Sequence, residues 1–256
     1  MNQIFNVTNK VAVITGASSG LGVQMAVALA SQGAKLALIA RRKDKLVQVK
    51  QELEAKYQTE VIAIECDVTA EQEVKTATQE VMTKFGRVDI LVNNAGVGGL
   101  GDAEHMTLAD WQKVVDVNLT GVFLCSQHFG KVMIAQKYGK IISIASIFGA
   151  VGNLAFPVIA YHATKGAVVN FTRGLAAEWA KYNITVNAIG PGFFMSEMTQ
   201  DIEKNPEADA FIKSGNPMHR WGKAGELNGA LLLLASDASS FITGQTIYVD
   251  GGWTAV

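Results

Sequence analysis

Short apolar segments alternate along this chain with longer segments of helical periodicity, and this alternation restricts the possible folds more than any other feature. The apolar segments are hydrophobic almost throughout, as expected of parallel strands that are covered on both faces. They span 10–15, 35–40, 61–66, 88–92, 140–144, 184–189 and 245–249. Predicted helices span 21–31, 43–57, 70–85, 108–136, 161–182 and 226–236. This order predicts an α/β fold, a doubly wound parallel sheet with helices on both faces.

The composition favours one domain that binds neither nucleic acid nor membrane. The chain has 256 residues, 49% of them hydrophobic, and four prolines, with no linker-like stretch. A net charge of -1 gives no general attraction to polyanions. The segment MNQIFNVTNK is unlike a signal peptide, and no apolar run reaches the roughly 18–20 residues of a membrane span. We therefore expect a cytoplasmic protein in which Cys66 and Cys125 are buried free thiols.

A glycine-rich turn follows the first predicted strand, where an open parallel sheet binds its ligands. It reads Thr15-Gly16-Ala17-Ser18-Ser19-Gly20-Leu21-Gly22. Its glycines allow the backbone to approach a pyrophosphate closely, and the helix that begins near Leu21 directs N–H groups towards it. Because the turn lies between the first strand and the first helix, it indicates a dinucleotide site rather than an ordinary connection.

The end of the second strand indicates which dinucleotide this is. NAD-selective proteins usually carry an acidic residue there for the ribose 2′-hydroxyl, but this strand ends at Ala40 and continues into Arg41 and Arg42. An arginine suits a 2′-phosphate, so we predict NADP(H) in preference to NAD(H). The alternative is a solvated basic start to the next helix. On the first hypothesis, Arg41→Ala weakens NADPH binding much more than NADH binding.

Two further strand ends carry candidate cofactor-binding residues. Asp67 and Val68 follow the third strand, although Asp67 is equally suited to cap the next helix. The sequence Asn93-Asn94-Ala95-Gly96 follows the fourth strand, with Gly98 and Gly99 shortly after it. Side-chain amides there can fix strand ends, and the glycines leave room for a flat cofactor.

Tyr161 and Lys165 are four residues apart near the start of a predicted helix, so both side chains lie on one face. A phenol with its ordinary pKa of about 10 is a poor base near neutral pH. We expect a nearby ammonium, together with an oxidised, cationic nicotinamide, to favour the phenolate and lower this pKa. The pair therefore predicts a proton donor and acceptor for a carbonyl or alcohol oxygen.

Two polar residues complete the candidate catalytic group. Ser146 follows the strand at 140–144 and can stabilise negative charge on the same oxygen, with Ser143 as the competing candidate inside the strand. Asn118 interrupts a mostly apolar helical stretch, and a buried amide needs partners. We expect it to hold a water or a local distortion of the helix. His162 and His219 have no metal-ligand spacing, and no metal site is predicted.

These motifs together resemble those of the short-chain dehydrogenases/reductases, and the resemblance covers nearly the whole chain. The motifs are Thr15-Gly16-x-x-x-Gly20-x-Gly22, Asp67, Asn93-Asn94-Ala95-Gly96, Asn118, Ser146, Tyr161-x-x-x-Lys165, Pro191-Gly192 and Val249-Asp250-Gly251-Gly252. The resemblance implies a single Rossmann-like domain with a seven-stranded parallel sheet. It also implies a homotetramer built through the helices that carry Asn118 and Tyr161 and through the last strand with its preceding helix.

The resemblance also implies residue roles. Ser146 would orient the substrate, Tyr161 would transfer the proton, and Lys165 would bind the nicotinamide ribose and lower the pKa of the tyrosine. Asn118 would hold a water in a proton relay. The carboxamide end of the cofactor would be flanked by Pro191, Gly192, Phe194 and Ser196.

The substrate is less constrained than the chemistry. Segments 147–160 and 193–220, the second taken as a lid, supply an apolar wall that suits a substrate with a hydrophobic body. This wall would contain Phe148, Leu154, Phe156, Pro157, Phe193, Met195, Met198 and Phe211. The segment between Ser146 and Tyr161 is slightly longer than is common in the family, which can reshape the mouth of the pocket.

Within the family, the stretches PGFFMSEMT and His219-Arg220-Trp221-Gly222 resemble both 3-oxoacyl-carrier-protein reductases and gluconate 5-dehydrogenase-like enzymes. A general ketoreductase is equally compatible with them. The alternative outside enzymology is a cofactor-binding sensor or scaffold without turnover. The presence of Asn118, Ser146, Tyr161 and Lys165 together favours the enzyme.

Overall fold

A seven-stranded parallel sheet forms the centre of the computed structural model, which describes residues 3–197 and 199–256. The strands are β1 (Val11–Thr15), β2 (Lys35–Ala40), β3 (Val61–Glu65), β4 (Ile90–Asn93), β5 (Gly139–Ile144), β6 (Ile184–Pro191) and β7 (Thr246–Val249). Their order is β3-β2-β1-β4-β5-β6-β7, and each neighbouring pair is parallel. The order reverses between β1 and β4, so a crevice opens beyond their carboxyl ends. The predicted fold class is confirmed.

Nine α-helices connect or follow these strands within the described ranges. They are α1 (Gly20–Ser31), α2 (Lys43–Tyr57), α3 (Glu71–Phe85), α4 (Leu108–Val115), α5 (Gly121–Gln136), α6 (Ile159–Trp179), α7 (Gln200–Glu203), α8 (Pro206–Ser214) and α9 (Asn228–Ala235). The sequence predicted one helix over 108–136, but a π-helical turn at Asp116–Thr120 divides it into α4 and α5. Helices α7 and α8 lie in the segment that periodicity alone left unassigned. Among the described helices, none is both long and apolar enough to span a bilayer.

The helices pack on both faces of the sheet because each presents an apolar stripe to it. On one face, Met25 and Leu29 of α1 and Leu231 of α9 join the core. On the other, Val81 of α3 and Phe129 of α5 do the same. Each of these five side chains is fully or almost fully buried. Burying one side chain of this size stabilises a fold by about 1.5–3 kcal/mol. The two helical layers therefore stabilise the sheet and its carboxyl edge.

The two cysteines lie in the second of these layers. Cys66 and Cys125 are free and each is 2% exposed. Burial raises the pKa of the Cys66 thiol to about 12 and raises the pKa of Cys125 as well. The prediction of buried free thiols is therefore confirmed.

Candidate active site

A cavity of about 520 Å³ occupies the crevice at the carboxyl edge of the sheet. All but two of the site residues predicted from sequence line it. These are Gly16, Ser18, Ser19, Gly20, Leu21, Arg41, Arg42, Asp67, Val68, Asn94, Ala95, Gly96, Ser146, Tyr161, Lys165, Pro191, Gly192, Phe194 and Ser196. The exceptions are Gly22 and Asn118, which lie behind the wall. The fold thus gathers residues from six strand ends around a single volume large enough for a ligand.

The glycine turn needs its glycines for two different reasons. Gly16 and Gly20 have φ angles of +66° and +58°, in the left-handed region that other residues adopt at a cost. Gly22 has an ordinary backbone, but a Cβ there would lie 2.7 Å from Nδ2 of Asn94 and collide with the carbonyl of Gly16. Gly22 therefore allows α1 to pack tightly behind the turn, which explains why it does not face the cavity.

Hydrogen bonds fasten the glycine turn to the end of β4. The Asn94 Nδ2 donates to the carbonyl oxygens of Thr15 at 2.9 Å and Gly16 at 3.2 Å. In return, the Thr15 hydroxyl accepts from the backbone N–H groups of Asn94 and Ala95, both at 3.0 Å. The amide therefore fixes two strand ends, as its position after β4 suggested. Thr15 was not singled out from sequence as a site residue.

Arg42, rather than Arg41, is aimed at the glycine turn. Its Nε and Nη2 donate to Oγ of Ser18 at 3.2 and 3.1 Å, and Nη2 donates to Oγ of Ser19 at 2.6 Å. Arg41 instead lies with Nη1 3.9 Å from Oδ2 of Asp67. Both arginines are about half exposed or more, so their charges remain available to a ligand.

Asp67 lies in the cavity wall and does not cap α3, whose N-cap residue is Ala70. Its Oδ1 accepts hydrogen bonds from the backbone N–H of Thr69 at 3.0 Å and from the Thr69 hydroxyl at 2.8 Å. This closes the turn that leads into α3. The same residue lines the cavity beside Val68, so one side chain both orders this turn and forms part of the cavity wall.

Tyr161 and Lys165 share one face of α6, where Lys165 is buried and Tyr161 is partly buried. The Lys165 Nζ lies 5.3 Å from the centre of the Tyr161 ring and donates to the carbonyl oxygen of Ile144 at 2.7 Å. Burial lowers the pKa of Lys165 to about 8, because the ammonium has been removed from water. This ammonium belongs to a side chain that is only 4% exposed.

The direction of the Tyr161 shift differs from the expectation drawn from sequence. Burial raises the pKa of the phenol, and the neighbouring hydroxyl of Ser146 acts more weakly in the opposite direction. Desolvation penalises the phenolate as it penalises any buried charge. The polypeptide alone therefore keeps Tyr161 protonated, whereas the lower pKa expected from sequence refers to the site with an oxidised nicotinamide bound.

Ser146 lies at the point where β5 leads into a short 3₁₀ turn, Ile147–Gly149. Its Oγ accepts from the backbone N–H of Phe148 at 3.2 Å, which caps that turn, and the residue is 7% exposed. Ser143, the competing candidate, is fully buried inside β5, where its Oγ lies 3.4 Å from Nδ2 of Asn93. Ser146 lines the cavity and Ser143 does not.

Asn118 lies in the π-helical turn and is fully buried. Its Oδ1 accepts from the N–H of Val97 at 2.8 Å, and its Nδ2 donates to the Val97 carbonyl at 2.9 Å. The same Nδ2 lies 3.3 Å from the hydroxyl of Thr164, on α6 between Tyr161 and Lys165. Asn118 therefore joins the loop after β4 to the helix that carries the candidate proton donor. The expected helix distortion is present at this residue.

An aromatic cluster lies beside this group. Phe148 contacts Tyr161 edge-on with ring centres 6.4 Å apart, and Phe193 lies 5.9 Å from Phe148. The remaining members are Phe156, Phe211, Trp221 and Trp253. The two tryptophans were not named as wall residues from sequence: Trp221 directly follows the 193–220 segment, and Trp253 comes from a more distant part of the chain. The two apolar segments proposed as a pocket wall therefore do meet.

Leu154, Pro157 and Met195 of the expected wall are not members of this aromatic cluster. Leu154 is fully exposed and contributes nothing to a pocket, and Met198 lies outside the described residues. The histidines make ordinary contacts: His162 Nδ1 lies 3.0 Å from the Phe148 carbonyl, and His219 Nδ1 lies 3.0 Å from the Lys213 carbonyl. Within residues 3–197 and 199–256, no group of side chains is arranged to hold a metal ion.

Comparisons with known proteins agree with this geometry. Residues 16–254 match the family model described as Enoyl-(Acyl carrier protein) reductase, one of the short-chain dehydrogenase/reductase models. The chain is 41% identical to a 3-oxoacyl-(acyl-carrier-protein) reductase of Synechocystis sp., over 96% of this chain and 97% of that protein. It is 36% identical to a gluconate 5-dehydrogenase of Gluconobacter oxydans, over 98% and 97% of the two chains.

A solved structure extends the comparison to three dimensions. The gluconate 5-dehydrogenase from Burkholderia cenocepacia, in complex with NADP and tartrate, superposes with a TM-score of 0.95. It is 34% identical and the match covers 99% of this chain and 98% of that chain. The chain therefore belongs to the short-chain dehydrogenase/reductase family, whose members are oxidoreductases that act on CH–OH groups.

Proposed function

We propose that this protein uses NADP(H) to interconvert a ketone and a secondary alcohol by hydride transfer, with Tyr161 as the general acid and base. The observation that supports this most directly is the convergence of Tyr161, Lys165 and Ser146 on the cavity that also contains the glycine turn and Arg42. A site for a dinucleotide and a site for proton transfer to a carbonyl oxygen thus share one volume.

The residues present fit a nicotinamide dinucleotide. Among the described residues, the Ile144 carbonyl is the hydrogen-bond acceptor for the buried Lys165 ammonium, which has three N–H donors and so keeps others for ligand hydroxyls. Gly96 is close enough that a Cβ there would lie 3.7 Å from Lys165 Nζ, and a Cβ at Gly98 would point into open space. A flat ring and its ribose need this kind of clearance. When bound, the nicotinamide supplies or accepts the hydride.

The side chains of the chain then handle the proton. Because burial keeps the Tyr161 phenol protonated, its hydroxyl donates a proton to a carbonyl oxygen as that oxygen gains negative charge. The Ser146 hydroxyl, already oriented by the Phe148 N–H, donates a second hydrogen bond to the same oxygen. The Lys165 ammonium stabilises the phenolate that remains. In the oxidation direction each of these transfers runs backwards.

NADP(H) is the cofactor that the charged residues favour. A 2′-phosphate adds negative charge beside the adenine ribose, and Arg42 is held by Ser18 and Ser19 beside the turn that receives the pyrophosphate. Arginine forms charge-assisted hydrogen bonds with phosphate oxygens. The NADP complex of the Burkholderia cenocepacia relative supports the same choice.

The substrate lies among 3-oxoacyl compounds, sugar acids or polyols, and other ketones. The aromatic cluster around Phe193 supplies an apolar surface next to Tyr161, which favours a substrate with a hydrophobic portion. The relatives named for acyl and for sugar-acid chemistry support the first two groups. A panel of carbonyl compounds separates the three groups directly.

The decisive experiment measures initial rates of NADPH and NADH oxidation by the purified protein. The panel contains β-ketoesters, acyl thioesters, keto-sugars, cyclic and aryl ketones and diketones, and Tyr161→Phe is the control. Turnover with NADPH that the variant loses supports the proposal. If the wild type binds NADPH but turns over none of the panel, a sensor or scaffold becomes the better description. If Tyr161→Phe retains full turnover, the assigned mechanism is wrong.

We also propose that the protein is a homotetramer that acts in the cytoplasm. Large apolar side chains are exposed on the elements that would form its interfaces: Phe123 on α5 is 44% exposed, and Phe241, just before β7, is completely exposed. Strand β7 is also an edge of the sheet. Light scattering on a size-exclusion column measures the mass directly, and a mass of one chain at micromolar concentration would contradict this part of the proposal.

A further inference from the structure

Glu197 lies at the adenine-ribose end of the cavity, among the charges assigned above to the 2′-phosphate. Its Oε2 is 2.9 Å from Nη1 of Arg42, and its Oε1 is 2.7 Å from Nζ of Lys45 on α2. The carboxylate therefore bridges two cations, one of which also holds Ser18 and Ser19. An acidic side chain lies where the proposed ligand would place its own anionic group.

These ion pairs are strong enough to orient the side chains and weak enough to exchange. Hydrogen bonds from Lys45 and then from Arg42 and Ser19 lower the pKa of Glu197 to about 2, so it is a carboxylate at any physiological pH. The side chains of Glu197, Arg42 and Lys45 are each 45–48% exposed. Ion pairs this accessible to water contribute little to stability and are screened by salt. A phosphate with more charge and more acceptor oxygens can replace such a carboxylate.

We propose that Glu197 sets the selectivity of the protein between NADP(H) and NAD(H) by competing with the 2′-phosphate for Arg42 and Lys45. This inference rests on the proposed NADP(H)-dependent function. Lys45 becomes a second ligand of the 2′-phosphate, which sequence reasoning did not identify. NAD(H) has no group to displace the carboxylate, so Glu197 affects the binding of the two cofactors differently.

The ion pair between Glu197 and Lys45 also connects the segment that follows β6 to α2. Ser196 packs against the glycine turn, since a Cβ at Gly20 would lie 3.3 Å from its Cβ. Thr199 closes this segment on itself, donating to the Phe194 carbonyl at 2.7 Å and accepting from the Ser196 N–H at 3.0 Å. Glu197 is the residue that ties this compact turn to α2. A 2′-phosphate that displaces it releases the turn from α2, whereas NAD(H) leaves the connection in place.

Calorimetric titration of the full-length protein with NADP⁺ and with NAD⁺ tests this inference. Glu197→Gln removes the competing charge and keeps the size of the side chain. We expect the dissociation constant for NADP⁺ to fall by on the order of tenfold, and that for NAD⁺ to change less than about twofold. Raising the salt concentration should reduce the difference between variant and wild type. Glu65→Gln, which removes an equally exposed carboxylate paired with Lys43, is the matched control and should leave both constants unchanged.

Arg42→Ala separates failure of this inference from failure of the proposed function. The competition is refuted if Glu197→Gln weakens NADP⁺ binding or changes the binding of both cofactors equally. The NADP(H) assignment survives that result if Arg42→Ala weakens NADP⁺ binding much more than NAD⁺ binding. If Arg42→Ala affects both cofactors equally, the assignment itself fails and the competition fails with it. A selective gain for NADP⁺ in Glu197→Gln, absent from Glu65→Gln, supports the inference.

Discussion

Replacing Asn118 by alanine should destabilise the protein measurably, because this amide is fully buried and makes three hydrogen bonds. Two of them join Val97 at 2.8 and 2.9 Å, and the third reaches Thr164 at 3.3 Å. A buried hydrogen bond contributes about 1 kcal/mol, and an unsatisfied partner costs about 1–3 kcal/mol. Val97 is partly exposed, so water replaces part of what it loses. We expect a decrease of about 2–3 kcal/mol in the free energy of unfolding.

Urea unfolding followed by tryptophan fluorescence measures this decrease, at one fixed protein concentration because an oligomer's midpoint depends on it. Gln112→Ala is the matched control. Gln112 lies on α4, the helix that directly precedes the π-helical turn of Asn118. Its exposed side-chain amide donates a hydrogen bond to Oδ1 of Asp116 at 2.7 Å. Because both partners are accessible to water, the control should lose less than about 0.5 kcal/mol.

The same variant should impair turnover for a geometric reason. Asn118 holds the loop after β4, whose Gly96 faces Lys165, against α6. Loosening that loop displaces the floor of the cavity relative to Tyr161, so kcat should fall even at saturating NADPH. A variant within about 0.5 kcal/mol of the wild-type stability, with unchanged kcat, would refute the role assigned to this hydrogen-bonded link.

Three further predictions follow from the geometry. Burial lowers the pKa of Lys165 to about 8, so its ammonium is present below that pH and lost above it. The rate of ketone reduction should therefore fall as the pH rises through about 8. A constant rate up to about pH 10 would contradict this prediction. Gly22→Ala should cost about 1–3 kcal/mol in urea unfolding through its collision with the Gly16 carbonyl, whereas Gly152→Ala, in an exposed loop with open space around its Cβ, should not destabilise the protein. Cys66 and Cys125 should react with a thiol reagent far more slowly in the native protein than in urea, and fast native labelling would show that the surrounding core opens readily.

The sequence was sufficient for those parts of the fold and site that depend on local pattern. The seven apolar segments became the seven strands because a strand buried on both faces is hydrophobic throughout. The glycine turn, Asn94 and Ser146 reached one cavity because parallel strands place their carboxyl ends along one edge. Tyr161 and Lys165 lie close together because they are four positions apart on a helix.

What the sequence did not predict depends on contacts between distant residues or on burial. Glu197 and Arg42 are far apart in the chain, and only the folded structure shows their ion pair. Trp253 joins the aromatic cluster from a similarly distant part of the chain. The direction of the Tyr161 pKa shift follows from desolvation, which motif spacing does not reveal. The choice between Arg41 and Arg42 depends on side-chain direction at the end of β2, and both carry the same charge in the sequence.

The hydrogen bonds between Asn94 and the residues Thr15 and Gly16 connect the two halves of the sheet at the point where its strand order reverses. The glycine turn belongs to one half of the sheet and the amide that holds it belongs to the other. A dinucleotide that binds this turn therefore binds the folded chain. A chain in which β4 has not paired with β1 lacks the hydrogen bonds that hold the turn. Such a ligand at a hundred times its dissociation constant adds about 2.7 kcal/mol to folding stability. On the proposed function, a bound nicotinamide dinucleotide therefore slows any proteolysis that requires the chain to unfold.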